Sequence, residues 1–472
     1  MSNRSTELAS HETPEGSVTE WVEKHVGGRV TAIRQLRRWR PIWRVDLEQN
    51  GSNKTVLVKS VRTWACLDYS LRHEMQCMQI LEKNDIPVPH VYGMMESPEA
   101  FVMDWVDADD RDPGLVAQAI EEKSKISAER WAASLKYMEV LARMHRIPVS
   151  EFAATEAGNP IGSEEISLAH YNRYMKMLED RDAVDAIMEF FTRWIRRNVP
   201  RHRNRPAFLT GDCGQFLSRG TELAAVLDVE LGHIGDPMYD LACFRGRHPV
   251  ENMGDVPALY RHYQAASGEQ IDLPVLAYHT VVFLAQAIIG PIIAMIEKHP
   301  GGDWVEGLLQ VIFIARRTLE GMGEILDVPL DDVVADIELP AAHVAPVEEM
   351  AFDKLLSEIQ HLPISEGFAE WQRNVLVSLP QFLLTQLRYG RWLEEEDLRE
   401  VGELVGRRPA DLKEADKVLK DFVEKAGPDQ DIALIKLFYR RMRRQCLAFA
   451  GPDAPEDHLL FIKLEPILNV QI

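Results

Sequence analysis

Two pairs of residues have the types and spacing to do chemistry: Lys59 with Glu74, and Asp212 with Asp228. Leu71, Met75, Met78 and Leu81 recur at helical spacing and make one apolar face. A turn of about 100 degrees per residue puts Glu74 inside that arc, where a carboxylate is costly unless it meets a cation. The strand-like run before it carries Lys59 on the same side as Leu57 and Val61. An ion pair is therefore available, and two side chains snorkelling to solvent account for the pattern equally well. Downstream, Thr210-Gly211-Asp212-Cys213-Gly214-Gln215 precedes the apolar run Leu223 to Leu227 and then Asp228-Val229-Glu230. Two acids thus flank a short hairpin, which can hold one carboxylate beside a substrate hydroxyl and the other beside a metal-bound phosphate, as phosphoryl transfer requires. On spacing alone, turn-forming aspartates are the better account.

The residues that follow change that balance. Gly235-Asp236-Pro237-Met238-Tyr239-Asp240-Leu241-Ala242 comes directly after. The whole run, from Gly211-Asp212 through the hairpin and Asp228-Val229-Glu230 to His233 and Ala242, resembles the catalytic segment of the aminoglycoside-phosphotransferase and choline-kinase group. Upstream, Val56 to Lys59, Leu71 to Glu74, Ile86-Pro87-Val88-Pro89, Phe101 to Asp104 and Leu141 to His145 stand where that family has its lysine strand, glutamate helix, interlobe hinge and lobe-crossing helix. The resemblance runs from about residue 28 to residue 330. It implies an α+β, two-lobed protein-kinase-like fold, with a small antiparallel β-sheet lobe and a mainly helical lobe. It also implies an ATP- and magnesium-dependent kinase acting on a small-molecule hydroxyl. By the same resemblance Lys59 would hold nucleotide phosphates, Glu74 would orient Lys59, Asp212 would be the catalytic residue that receives or positions the hydroxyl proton, and Asp228 would ligate magnesium with help from Glu230. Asp236 and Asp240 read as capping residues.

The sequence departs from the family pattern in three places. Thr210 stands where the family has a His before Gly-Asp. Gln215, three residues after Asp212, stands for an Asn that normally lies five residues on; its amide oxygen makes it the candidate for both nucleotide and metal contact. The nucleotide-covering turn is Arg37-Arg38-Trp39-Arg40-Pro41-Ile42-Trp43, without small residues. Arg40 could hold phosphate as a guanidinium fork, or the tryptophans could pack the small lobe and the arginines face solvent. Further on, Arg245 and Arg247 are candidates for an anionic substrate group, against the plainer reading of solvated bases at a helix end. Cys213 has no evident His partner, so a thiol nucleophile is not expected. His145 and His233 read as hydrogen-bonding residues, and Tyr439 to Arg444 as an interdomain salt-bridge surface rather than a phosphate patch.

These residues need a scaffold. At 472 residues the chain exceeds one ordinary core. Residues 1–27 read as a flexible tail, 28–106 as the nucleotide-binding lobe with strand order strand, strand, strand, helix, strand, strand, and 107–339 as the catalytic and substrate-binding lobe. After a Pro340 to Pro346 linker, 347–472 read as an appended C-terminal helical domain that could carry a homodimer contact. The net charge of -21 opposes nucleic acid and anionic membranes. Five scattered cysteines without a CxxC pair fit a reducing cytoplasm. Leu273 to Ile296 carries no charge; its polar residues and Gly290-Pro291 break favour a core helix over a membrane span, and its apolar character suits a hydrophobic alcohol or hydroxyacyl acceptor. Two other functions fit the same residues: a catalytically reduced, kinase-like binding or regulatory module, and ATP-dependent dehydration through a phosphorylated intermediate.

Overall fold

In the computed structural model, residues 14–36, 40–61, 69–108, 126–298, 303–342, 344–364 and 367–472 are described. The chain enters through α1 (Pro14–His25) and then lays down β1 (Arg29–Gln35), β2 (Ile42–Gln49) and β3 (Ser52–Ser60). Asn50 and Gly51, with φ of 52° and 74°, form the two-residue turn between β2 and β3; positive φ at both positions matches the right-handed strand twist. α2 (Leu71–Lys83) follows, its first turn capped by the Ser70 hydroxyl, which accepts from the His73 amide at 3.2 Å. β4 (Val91–Glu96) and β5 (Glu99–Asp104) complete an antiparallel sheet of order β1-β2-β3-β5-β4.

One face of this sheet buries Trp43, Val45, Leu47, Val56, Val58 and Val102 against Val18 and Val22 of α1. The expected tail to residue 27 is therefore a helix from Pro14 onward. Its polar composition hid two valines at i, i+4 spacing, which suffice to seat one helical face. Residues 1–13 lie outside the described residues.

The second lobe is mainly helical: α3 (Ala128–Met144), α4 (Gly162–Glu179), α5 (Ala186–Arg197), α6 (Pro237–Arg247), α7 (Val256–Ser267), α8 (Leu273–Ala287), α9 (Ile289–Glu297), α10 (Trp304–Ile325) and α11 (Leu330–Val334). Between α5 and α6 lie two small antiparallel pairs, β6 (Ala207–Leu209) with β9 (His233–Gly235) and β7 (Phe216–Arg219) with β8 (Glu222–Val226). The uncharged stretch divides into α8 and α9 at Ile288, two residues before Gly290-Pro291. By length and composition alone it could cross a membrane. In the fold, every residue from Val275 to Gln286 is buried and α8 packs between α6 and α10. Its apolar side chains are thus consumed by the core.

α12 (Pro346–Gln360), α13 (Gly367–Val405), α14 (Leu412–Val423) and α15 (Asp431–Ala450) end the chain. They do not build the separate core expected of residues 347–472. Leu398, Val401, Leu419, Leu434 and Phe438 join the same apolar cluster as α8 and α10, because α15 lies along α10 and α14 along α5. The basic run of α15 is an ion-pair surface, as its sequence suggested: Arg440 bonds Asp336 and Glu400, and Arg444 bonds Glu400 and Asp397.

Candidate active site

Lys59 enters the site from a strand bonded on both sides, opposite Ile42 on β2 and Phe101 on β5, so its backbone is fixed by the sheet. Its ammonium lies 2.6 Å from Glu74 Oε1, 3.2 Å from Asp228 Oδ1 and 3.7 Å from Glu230 Oε2. Burial alone would depress the Lys59 pKa, but the carboxylates of Glu74 and Asp228 outweigh it and hold the group above its ordinary 10.5. Glu74 is on the packing face of α2, buried with the apolar residues around it. Of the two readings left open for this pair, the ion pair is the one the fold contains.

Arg40 is buried in the same cluster. Its guanidinium donates to Glu230 and, at 3.5 Å, to the Ser60 carbonyl, so it does not face solvent. Trp43 packs into the small-lobe core, while Arg37, Arg38 and Trp39 lie outside the described residues. Three carboxylates against two cations leave this cluster with one net negative charge. Carboxylate oxygens of Glu74, Asp228 and Glu230 lie within 4.8 Å of one another, and Glu74 Oε2 is buried with no hydrogen-bond partner. An all-oxygen donor set with spare negative charge suits a hard divalent cation such as magnesium.

The Asp212 loop is pinned from below. Asp240, fully buried near the start of α6, accepts from the amides of Thr210 (2.9 Å) and Gly211 (3.2 Å) and from the Thr210 hydroxyl (3.2 Å). His145 Nε2 stands 3.3 Å from the same carboxylate, and its Nδ1 meets the Tyr263 hydroxyl at 2.8 Å. Asp240 therefore supports the loop beside Thr210, going beyond the capping expected of it. Asp236 is a cap as expected, accepting from the Met238 amide at 3.0 Å. Burial pushes the Asp236 carboxyl up, but two 2.8 Å bonds from Arg203, with His279 beside it, pull it far below the usual carboxylate range.

At the tip of the loop, Asp212 Oδ2 accepts from the Gln215 amide at 2.5 Å and Oδ1 accepts from Arg247 Nη1. Arg247 is itself held by Glu251, at 2.7 and 3.1 Å. The Gln215 carbonyl receives the Leu227 amide at 3.1 Å, which ties the Asp212 loop to the residue before Asp228. Asp228 takes a positive φ of 56°, a conformation that aspartate tolerates better than most residues. Gly211 is required by both conformation and space. Its φ is +79°, and a Cβ there would lie 2.3 Å from the Leu231 carbonyl oxygen. Gly211→Ala is expected to displace the loop and to lower stability by about 2–4 kcal/mol; chemical denaturation measures the loss, and a change below about 0.5 kcal/mol would show the loop to be freely deformable.

The structure thus gathers Lys59, Glu74, Arg40 and Asp228 into one cluster, and Gln215 and Arg247 into a second around Asp212. Arg245 belongs to neither. It is 3% exposed and donates to Glu324 and, at 3.0 Å, to the Glu465 carbonyl, so it clamps the C-terminal segment and does not face a substrate. Two partners escaped the sequence reading. Glu251 had a signal, lying four residues after Arg247, whereas Arg203 is joined to Asp236 only by the fold. Cys213 is buried beside the Tyr137 hydroxyl at 3.2 Å, and burial raises its thiol pKa well above the ordinary 9.0. A thiolate nucleophile is excluded there.

Residues 46–279 match the model of the phosphotransferase enzyme family. No curated protein matches the sequence. Among solved structures, the macrolide 2'-phosphotransferase MphH apoenzyme from Brachybacterium faecium is 14% identical, with 62% of this chain and 97% of that one covered and a TM-score of 0.44. The gentamicin-APH(2")-IIa complex is 16% identical over 65% of this chain and 97% of that one, with a TM-score of 0.45. A thermostable mutant of aminoglycoside phosphotransferase APH(4)-Ia, in ternary complex with ADP and hygromycin B, is 13% identical over 64% and 98%, with a TM-score of 0.41.

Proposed function

Because the chain belongs, across residues 46–279, to the phosphotransferase enzyme family, we propose that it transfers the terminal phosphoryl group of ATP to a hydroxyl of a small molecule. The observation that carries this reading is the Lys59 ammonium lying between Glu74 and Asp228, with Glu230 and Arg40 beside it. In this reading Lys59 grips phosphate oxygens, Glu74 fixes Lys59, and Arg40 adds a second cation whose planar fork Glu230 aims. Magnesium, held by Asp228 with Glu230 and the Gln215 amide oxygen as further donors, would supply positive charge to offset the negative charge on the transferring phosphoryl group.

Asp212 orients the acceptor hydroxyl and takes its proton. Arg247 and Gln215 hold that carboxylate in its aim. A carboxylate offers about four lone-pair sites, so two donors leave room for the acceptor. Arg247 therefore acts on Asp212 and not on substrate. The finer reading, a hydrophobic alcohol or hydroxyacyl acceptor, loses its support in α8, whose apolar residues are core.

The test is Asp228→Ala. The parent should bind ATP in a magnesium-dependent way by calorimetry and turn it over with some member of a broad panel of alcohols. The variant should lose at least about 100-fold in magnesium-dependent affinity. A parent that neither binds nor hydrolyses ATP ends the kinase reading. A second reading, a nucleotide-binding regulatory module, is favoured by one observation, that both Asp212 oxygens are already engaged. Its signature would be Asp228-dependent ATP binding with no turnover on any acceptor.

A further inference from the structure

Arg317 on α10 is 1% exposed, yet its guanidinium meets no carboxylate at ion-pair distance among the described residues. Its Nε is buried without a partner, and the Phe313 ring lies 5.3 Å from the charge. Burial, opposed only in part by Glu320, pulls its pKa down to about 9. A buried cation without a carboxylate is costly, and the hydrogen bonds it makes are what offset that cost.

Those bonds go to the end of α6. Nη1 donates to the Gly246 carbonyl at 2.6 Å and Nη2 to the His248 carbonyl, on either side of Arg247. The carbonyl of Arg247 itself takes the Glu251 amide at 3.0 Å. All three carbonyls thus have donors, at a terminus that supplies none of its own, and the cation meets the negative end of the helix dipole. The side chain framed in this way is the one on Asp212. Arg247 Nη1 donates to Asp212 Oδ1, while Nε and Nη2 hold Glu251 at 3.1 and 2.7 Å. Arg317 also joins Arg247 in favouring the ionised form of buried Glu251. Charge therefore alternates from Asp212 through Arg247 and Glu251 to Arg317. Arg245 and His248 turn the other way, Arg245 donating to the Glu465 carbonyl at 3.0 Å and His248 Nε2 standing 3.4 Å from Glu465 Oε1. The helix end is anchored on two sides, and Arg247 is the residue that reaches the Asp212 loop.

We infer that Arg317 is a positioning residue for phosphoryl transfer: it fixes the end of α6 in the place from which Arg247 aims Asp212. Its part in transfer rests on the kinase reading, whereas the linkage from Arg317 through Arg247 to Asp212 rests on geometry alone. α10 lies beyond the residues that match the family model, so this support comes from the part of the chain outside the match. A core arginine that merely ties α10 to α6 would cost stability on removal and leave Asp212 as it is.

Arg317→Met keeps an apolar chain and removes every donor. In the full-length variant kcat should fall about 30–100-fold, with magnesium-dependent ATP affinity by calorimetry within about threefold of the parent. Arg317→Lys, which keeps a donor near these carbonyls, should recover most of kcat. In the Asp212→Asn background, Arg317→Met should cost no more than about a further threefold, because the group it positions is already gone. An equal factor in both backgrounds makes Arg317 purely structural and overturns the proposal. Parental kcat in the methionine variant, or a loss of ATP affinity that matches the loss of kcat, overturns it as well. Should circular dichroism show that Arg317→Met does not fold, Arg317→Gln, with one amide donor left, goes through the same cycle. A crystal structure of the variant should show Arg247 withdrawn from Asp212 Oδ1. That contact intact overturns the proposal even where the parent turns over no acceptor, an outcome that by itself ends only the kinase reading.

Discussion

Asp212→Asn should lower the rate of phosphoryl transfer about a thousandfold while leaving magnesium-dependent ATP affinity near that of the parent. Asparagine keeps the volume and one acceptor oxygen, so Arg247 retains a partner and the loop pinned by Asp240 need not move. What is lost is the group that can take a proton. The proposed nucleotide side of the site, built on Lys59, Glu74 and Arg40, lies on other elements, and an effect confined to kcat follows. Steady-state turnover with whichever acceptor the alcohol panel identifies, alongside calorimetric ATP binding, makes the measurement. Turnover within a few-fold of the parent would remove Asp212 from the chemistry. A parallel loss of ATP binding would mean that the loop had collapsed, and hydrogen exchange at Thr210 and Gly211 would detect that.

Periodicity exposed some of this architecture and not the rest. Glu74 was legible because an acid inside an apolar helical arc needs a cation, and the neighbouring strand offered Lys59. The small lobe's strand order was legible from alternation and the Asn50-Gly51 turn. Arg40 with Glu230 was not, since the two residues are 190 positions apart and nothing local in either segment requires the other. Arg245 and Arg247 look alike in sequence, two basic residues on one helix. They lie 200 degrees apart around its axis at about 100 degrees per residue, so one turns toward Asp212 and the other toward Glu324. α1 and the packing of the C-terminal helices are hidden in the sequence for a common reason. Both segments are polar in composition, yet two buried valines seat the first and a shared apolar cluster absorbs the second.

The histidines beneath the site make acid the other strong probe. His73, His170 and His233 are buried together: the rings of His170 and His233 stack with centroids 3.8 Å apart, and His73 Nε2 meets the Gly232 carbonyl at 2.7 Å. Burial disfavours the charged ring, holding His73 below its ordinary 6.5, His170 well below it, and His233 down to about 4. An unfolded chain binds these protons near pH 6.5 and the folded one only at lower pH, about 4 for His233, so in between the unfolded state binds more protons and stability rises with pH. The stabilisation is complete above about pH 6.5 and drains away as pH falls toward 4. His233 alone should account for about 2 kcal/mol by pH 5, and His170 should contribute in the same direction. Urea midpoints measured from pH 7.5 to 4.5 should fall mainly below 6.5. His170→Gln, which cannot be protonated there, should flatten that slope even if it lowers stability at neutral pH. A wild-type slope that persists unchanged in both His170→Gln and His233→Gln would assign the acid sensitivity to the carboxylates. Asp236 would then be a poor candidate, because Arg203 holds it ionised through the whole of that range.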